Sequence, residues 1–375
     1  MSIFRPPEQI LKGARVALIL GPGNLNIDYA MALVRGPERA LLELGAIVDT
    51  FNLSFFKEEI LDFTRKSIPF LPQNSKVLQN MLKFLSSPPP GGWEFVLTHL
   101  YDHYLTEPIR EALRKSTKRL ISYPLNLLDQ PHYFKLCFEL FDEIWCAEEE
   151  ALSSLRKQLQ PTKILRYVPL ESDPFIFRRL GEPEKPKVIF AGSNYGRRSL
   201  LLDRIEEVLP LTVTGVNHSP LYTLRMIARD IVRENHWPSI GAVKRRIRRS
   251  MRAIVPPPGD EAFAWLASEH GISIGINDTV DELTKKTVYK VRLREYDCAM
   301  CGLCHVARRL PELERHFVPG EEMLLYNDED EAIEWMRKIA KGAVDWRRIG
   351  RNARARAESD HTWTRRFYDV FREEK

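Results

Sequence analysis

Short apolar runs alternate with helix-periodic stretches along the first half of the chain. Arg15–Leu20 is almost wholly apolar and runs into Gly21-Pro22-Gly23, which predicts a strand buried on both faces and then a tight loop. Glu38–Leu44 reads as a helix stopped by Gly45, and Ala46–Phe51 as a second strand. Glu94–Thr98, Arg119–Tyr123 and Phe141–Cys146 read as three more strands. Pro108–Lys118 is helical between two of them, and Glu148-Glu149-Glu150 opens another helix. Strands alternating with helices predict a parallel, doubly wound sheet.

The pattern then restarts. Lys187–Phe190 is a strand with Gly192-Ser193-Asn194-Tyr195-Gly196 as its loop, followed by a helix over Ser199–Val208 and a strand over Leu211–Val216. Glu261–Glu269 is a helix and Ile272–Ile276 a strand. Glu329–Ala340 is an amphipathic helix with Asp328 as N-cap and Gly342 as its stop. Two α/β units are therefore expected, joined through the charged, proline-bearing stretch Arg178–Pro186.

Composition narrows the class. The 375 residues are 44% hydrophobic and 29% charged, the mix of a globular protein long enough for two domains. A net charge of +5 calls by itself for neither nucleic acid nor membrane. The segment 217–255, however, holds nine Lys/Arg and two acids, so its +7 exceeds the whole chain's +5. Within it, Ala242–Val255 puts Val243, Ile247, Met251 and Ile254 on one helical face. Lys244, Arg245, Arg246, Arg248, Arg249 and Arg252 cover the rest, as in helices that lie on anionic membranes. The first residues carry no signal-like apolar region, and the apolar runs are far below the roughly 20 residues of a spanning helix. A cytoplasmic protein is expected, peripheral on the inner face of the membrane if the basic helix docks there. Five cysteines make no disulfide framework. Cys298, Cys301 and Cys304 copy the start of an iron–sulfur ligand run, but Arg308 stands where a fourth cysteine belongs. A zinc site with His305 would strain tetrahedral geometry. Small buried hydrophobes are the favoured reading, with no metal.

The C-terminal third carries a resemblance. Val291-Arg-Leu-Arg-Glu-Tyr-Asp-Cys-Ala-Met-Cys-Gly302 is followed by Phe317-Val-Pro-Gly-Glu-Glu-Met323, by the acidic Asp328-Glu-Asp-Glu331, and by Asp360-His-Thr-Trp363. This order resembles the C-terminal domain of the spore-maturation CgeB-like glycosyltransferases, relatives of the retaining family 4. Val188–Arg198 is similar to that family's opening strand and loop, and Glu171-Ser-Asp-Pro174 with Phe177 to its step before the domain crossover. The resemblance covers residues 165–375. It implies a GT-B fold, two Rossmann-like domains facing each other across a cleft. Residues 1–180 would form the acceptor-binding domain. Residues 181–355 would form the nucleotide-sugar domain, with a basic helical insert at 217–255, and 356–375 a helix crossing back.

The resemblance also implies roles. Gly192, Ser193, Arg197 and Arg198 would cradle the donor's diphosphate, with Arg294 as a further cation. Asp297 falls where the family places the carboxylate that holds the ribose, with Glu295 as its substitute; Tyr289 occupies the place of the sister acid. His361 opens the family's His-Thr signature, and a structural role is favoured for it. Cleft-facing positions after the strands of the first domain nominate His99, Asp102 and Asp129 as acid–base candidates, with His103, Asn126, Asn24, Asn26 and Asp28 nearby. Lys244, Arg245, Arg248, Arg249 and Arg252 would touch membrane or acceptor.

The expected activity is metal-independent transfer of a hexosyl-type sugar from a nucleotide diphosphate sugar to a glycan or lipid-linked acceptor, in surface polysaccharide or glycoconjugate assembly. No cofactor and no nucleic-acid partner are implied. A nucleotide-sugar 2-epimerase on the same fold and a non-catalytic sugar-nucleotide-binding assembly protein are the rivals.

Overall fold

The computed structural model describes residues 3–20, 32–56, 58–60, 62, 70–72, 74–159, 162–195, 198–234, 238–255 and 257–374. The chain divides into two units. One, the N-terminal unit, comprises Ile3–Asp173, Asp278–Lys290 and Asp360–Lys375; the other, the C-terminal unit, comprises Pro174–Asn277 and Val291–Ser359.

The N-terminal unit is built on β1 (Arg15–Leu20), α1 (Ala32–Glu43), β2 (Ile47–Asn52), α2 (Lys76–Leu85), β3 (Phe95–Thr98), α3 (Glu107–Ser116), β4 (Leu120–Ser122), α4 (Lys135–Leu140), β5 (Glu143–Cys146), α5 (Glu149–Gln158) and β6 (Ile164–Tyr167). Its six strands are all parallel, in the order β2-β1-β3-β4-β5-β6. β1 lies between neighbours, so Val16–Leu20 are buried and its apolar run has no polar alternation.

The C-terminal unit repeats the plan with β7 (Val188–Ala191), α6 (Arg198–Glu206), β8 (Leu211–Thr214), α7 (Pro220–Glu234), α8 (Ile240–Arg252), α9 (Asp260–Ser268) and β9 (Ile272–Gly275). A hairpin of β10 (Asp278–Val280) and β11 (Thr287–Tyr289) then leaves for the N-terminal unit. The chain returns through α10 (Leu293–Met300), β12 (Cys304–Arg308), α11 (Pro311–His316), β13 (Leu324–Tyr326), α12 (Glu329–Ala340) and α13 (Trp346–Asp360). The five parallel strands run in the order β13-β12-β9-β7-β8. α12 is fixed by its ends: Asp328 Oδ1 accepts from Glu331 N at 2.9 Å, acids fill its first turn, and Arg337 and Lys338 its last.

The last helix, α14 (Trp363–Arg372), belongs to the N-terminal unit. Thr362 Oγ1 caps it by accepting from Arg365 N at 3.1 Å. Trp363, Phe367 and Phe371, four apart, are buried together with Tyr123 and Trp145. A Cβ on Gly36 of α1 would stand 2.3 Å from Trp363 Cδ1, so only glycine lets the two helices meet there. The buried Glu171 receives Arg366 at 2.6 Å, with His361 Nδ1 at 3.4 Å. Glu143, also buried, accepts from Arg119 (2.6 Å), Arg166 (2.5 Å) and Trp145 Nε1 (2.7 Å). Each buried carboxylate thus has charged or N–H donors around it, as its desolvation requires.

Candidate functional site

In the C-terminal unit the chain goes from β7 outward to β8 and later returns to β9 on the other side of β7. The carboxyl ends of β7 and β9 therefore form a topological switch point, the place where open α/β sheets take ligands. The loop after β7 starts with a close approach. Gly215, at φ +136, brings its Cα against the Gly192 carbonyl so tightly that a Cβ would lie 2.2 Å from that oxygen. Gly192 N donates to Thr214 O at 2.9 Å and Asn194 N to Val216 O at 3.1 Å, which ties this loop to the end of β8. His218 Nε2 donates to the Gly192 carbonyl at 2.8 Å; burial pushes its pKa down to about 4, so the ring is neutral.

Arg198, at the start of α6, is buried and holds the frame together. Its guanidinium donates to Ser193 O (2.9 Å), Tyr195 Oη (2.5 Å) and Ile276 O (3.2 Å), and lies over the Tyr195 ring at 3.7 Å. One side chain thus joins the loops after β7 and β9. Arg292, just before α10, points its Nη2 at the same Tyr195 hydroxyl at 3.4 Å. Arg197 lies outside the described residues, as does Gly196.

Asn277 follows β9 and is fully buried. Its Nδ2 donates to Glu295 Oε1 at 2.8 Å, while its Oδ1 accepts from Arg308 N at 3.2 Å. Glu295 turns its other oxygen back to accept from Arg292 N at 2.7 Å, closing the first turn of α10. Burial raises its pKa to about 7, against the pull of the backbone amides, Arg292 and Asn277. Glu295 is therefore spent on local architecture. Asp297 is buried one half-turn further on, with Arg294 Nη1 at 3.7 Å from its Oδ2. Arg294 itself lies 4.2 Å over the Phe263 ring of α9. The sequence nominated Arg294 for the diphosphate; at the switch point it is Arg292 that faces the loop after β7.

The clustered cysteines lie inside the C-terminal unit. Cys298, Cys301 and Cys304 are buried and free, and burial pushes all three thiols up, Cys298 to about 12. Among the described residues no three His, Cys, Asp or Glu side chains gather as metal ligands. His305 Nδ1 meets Ser273 Oγ at 2.7 Å, and burial pushes its pKa down to about 3.

The N-terminal unit treats its nominated residues differently. His99 is buried with its ring edge-on to Tyr123. Asp102 accepts from Leu136 N (3.0 Å) and Cys137 N (3.1 Å), capping α4; burial raises its pKa against those two bonds. Asp129 accepts from Lys290 Nζ at 2.6 Å and from Thr279 Oγ1 at 3.2 Å. Lys290, buried, reaches Glu148 Oε1 (3.2 Å) and Asn126 Oδ1 (3.1 Å) as well. Burial pushes His103 down to about 4. Asn24, Asn26 and Asp28 lie outside the described residues. Lys290, Asn277 and His218 are the residues that sequence reasoning missed. The signal available was a polar residue straight after an apolar strand for Asn277, and none that we can name for the other two.

The basic segment is two packed helices, and it is not evenly solvated. Arg246 and Arg249 are buried against Asp203 of α6, at 2.5 and 2.8 Å, and Arg249 also meets Glu206 at 2.8 Å. Arg245 pairs with Glu207. Arg249 and Arg245 therefore leave the set of outward contacts, while Lys244, Arg248 and Arg252 remain exposed. No helix among the described residues is long and apolar enough to cross a membrane.

Residues 197–372 match the model of a family described as glycosyl transferase-like. Among curated proteins there is no match. Three solved structures illustrate the likeness in fold. The Anabaena protein HepE, in complex with UDP and glucose, is 10% identical over 96% of this chain and 99% of its own, with a TM-score of 0.62. A glycosyltransferase from Rickettsia africae is 10% identical over 96% and 98%, with a TM-score of 0.61. Sucrose-phosphate synthase from Thermosynechococcus elongatus is 14% identical over 96% and 99%, with a TM-score of 0.58. The fold is GT-B, with two parallel α/β sheets.

Proposed function

We propose that this chain transfers a hexosyl-type sugar from a nucleotide diphosphate sugar to a glycan or lipid-linked acceptor, as a metal-independent GT-B enzyme of the CgeB-like branch in surface glycan assembly. The observation that carries the reading is the arginine-built frame at the β7–β9 switch point, inside the segment that matches the glycosyl transferase-like model. Arg198 fixes the two loops, and Arg292 presents a cation beside them. A diphosphate needs such a cation together with backbone N–H donors. HepE binds UDP and glucose on the same fold, which supports the donor class. In the transfer the anomeric C–O bond to the diphosphate breaks, a bond to an acceptor hydroxyl forms, and that hydroxyl's proton and the nucleoside diphosphate leave. Cations and amide dipoles favour the departing diphosphate by carrying its growing charge.

Gly192, Ser193, Arg198 and Arg292 form the donor frame in this reading. Arg197 stays in it on the resemblance alone. Asp297 is the ribose candidate, and reaching a ribose would require it to leave Arg294. The N-terminal unit takes the acceptor. Asp102 and Asp129 support its loops rather than act as the base, and His99 is a buried ring beside Tyr123.

A thermal-shift screen against UDP-, GDP-, dTDP- and CMP-sugars tests the donor. One nucleotide class should stabilise the protein selectively, by about 2.7 kcal/mol at roughly a hundredfold excess over Kd. Chromatography of the products should then show nucleotide release that depends on added acceptor. Stabilisation by none of the four would overturn the proposal, and donor epimerised without acceptor would move it to the 2-epimerase class.

A further inference from the structure

The two helices of the basic segment have opposite faces with opposite fates. The inner face of α8 is pinned: Arg246 and Arg249 are clamped on Asp203 and Glu206, and Ser239 caps the helix by accepting from Ala242 N at 3.1 Å. The outer face carries Ile240, Lys244, Arg248, Met251 and Arg252, all exposed, within one arc of the helix. Ile240 is 78% and Met251 73% exposed. α7, packed against it, shows the same arrangement. Leu221, Leu224, Arg225, Ala228 and Val232 follow a single stripe and are all exposed, Val232 at 81%. The two stripes carry four cations and no acid. Arg225, Lys244, Arg248 and Arg252 make no ion pair among the described residues.

We infer that the outer faces of α7 and α8 dock on an anionic lipid surface. Large aliphatic side chains left in water at helical spacing need an apolar medium, and interleaved cations need an anionic one. A bilayer interface with acidic headgroups supplies both at one depth. A second copy of this chain fits poorly, because a self-complementary contact would set these four cations against their own image. Nucleic acid fits poorly too, because the stripes offer aliphatic chains where stacking bases want aromatic ones. The internal clamps on Asp203 and Glu206 keep the platform rigid, so docking orders little that is not already ordered. This inference does not depend on the sugar-transfer reading.

The test is flotation of the full chain with zwitterionic vesicles and with vesicles containing an acidic phospholipid, at low and high salt. The protein should float with the acidic vesicles only, and less so at high salt. The variant Lys244→Glu/Arg248→Glu/Arg252→Glu should lose at least about tenfold in partitioning, given roughly 1 kcal/mol for each cation near such a surface. Ile240→Ser/Met251→Ser should lose several-fold. A control with the same charge change in the N-terminal unit, Lys83→Glu/Lys115→Glu/Lys118→Glu, should keep its binding within about twofold. All the substituted residues are exposed, and a melting curve checks that each variant folds. Absence of flotation with acidic vesicles, equal loss in the control, or no loss in the three-residue variant overturns the inference. Concentration-dependent self-association that this variant abolishes, without flotation, would give the face to a second copy instead.

Discussion

The carboxyl ends of the two sheets are closed in different ways. In the C-terminal unit, Arg198 donates to two backbone carbonyls and Asn277 joins a backbone amide to the Glu295 carboxyl, so the loops are held without a buried Lys–carboxylate cluster. In the N-terminal unit, the acids that follow the strands are consumed. Asp102 caps a helix, and Asp129 and Glu148 share the buried Lys290, delivered by the β10–β11 hairpin. The difference teaches that position after a strand nominates a residue, while its neighbours decide whether it is available. One frame ties its loops through hydrogen bonds to backbone groups, the other through a buried cluster of one lysine and two acids.

The sharpest way to break this comparison is to remove Lys290. Lys290→Met takes the cation from the buried Glu148 and the half-buried Asp129, which should destabilise the N-terminal unit by about 3 kcal/mol. Hydrogen exchange should rise over the hairpin and over residues 126–132, and urea unfolding should move to lower concentration. A loss below about 1 kcal/mol would mean that the cluster is solvated and that its acids are available after all.

The next effect lies at Glu295. Its folded pKa is raised to about 7 from an ordinary 4.5 by burial. The folded state therefore holds a proton that the unfolded state gives up. The stability this provides is complete below about pH 4.5 and is lost as pH rises toward 7. Glu295→Gln mimics the protonated acid. Its amide NH2 must face one of the two N–H donors, so it should be the less stable protein near pH 4.5 and gain about 3 kcal/mol on the wild type by pH 8. The buried neutral rings of His218 and His305 act in the opposite sense, losing stability as pH falls below 6.5, but they are common to both proteins and cancel in the difference. A pH-independent difference would show that Glu295 is charged throughout.

Asp102→Asn separates capping from catalysis. As a cap, Asp102 should cost about 1 kcal/mol on substitution and leave turnover per folded molecule within about twofold. As a general base it would cost about a hundredfold or more in rate, with little change in melting.

How much of this was legible depended on whether a residue's partners were near in sequence. β1, β3, β4, β5, β7 and β9 were read from unbroken apolar runs, and α12 from Asp328 and its acidic first turn. The strand Cys304–Arg308 was not, because His305 and Arg308 make it look polar. His305 is accommodated by Ser273, thirty-two residues away, and by the bare Cα of Gly275. α13 was hidden by its arginines, between which Trp346, Ile349, Ala353 and Ala357 mark its inner face. The hairpin has no strand signature of its own, with three-residue strands whose side chains mostly face water. At the site, the loop after β7 was found from its glycine, serine and arginines. The fates of Asp102, Asp129, Arg246 and Arg249 were not, because each is decided by a partner more than thirty residues distant.

The smallest predicted effect bears on the C-terminal frame itself, through two arginines two positions apart. Arg292 sits beside the Tyr195 hydroxyl at the switch point, whereas Arg294 covers Phe263 and neighbours Asp297. If the frame binds a nucleotide diphosphate, Arg292→Ala should weaken the nucleotide found in the screen by about five- to tenfold, roughly 1 kcal/mol for an ion contact partly open to water. Arg294→Ala should leave that affinity within about twofold and lower the melting temperature instead, since it strips a stacked guanidinium from Phe263 and removes a cation 3.7 Å from the buried Asp297. Isothermal titration and melting of the two variants read both quantities. The reverse pattern, with affinity lost at Arg294 and kept at Arg292, would place the diphosphate on the α9 side of α10 and make Asp297, rather than the loop after β7, the centre of the donor site.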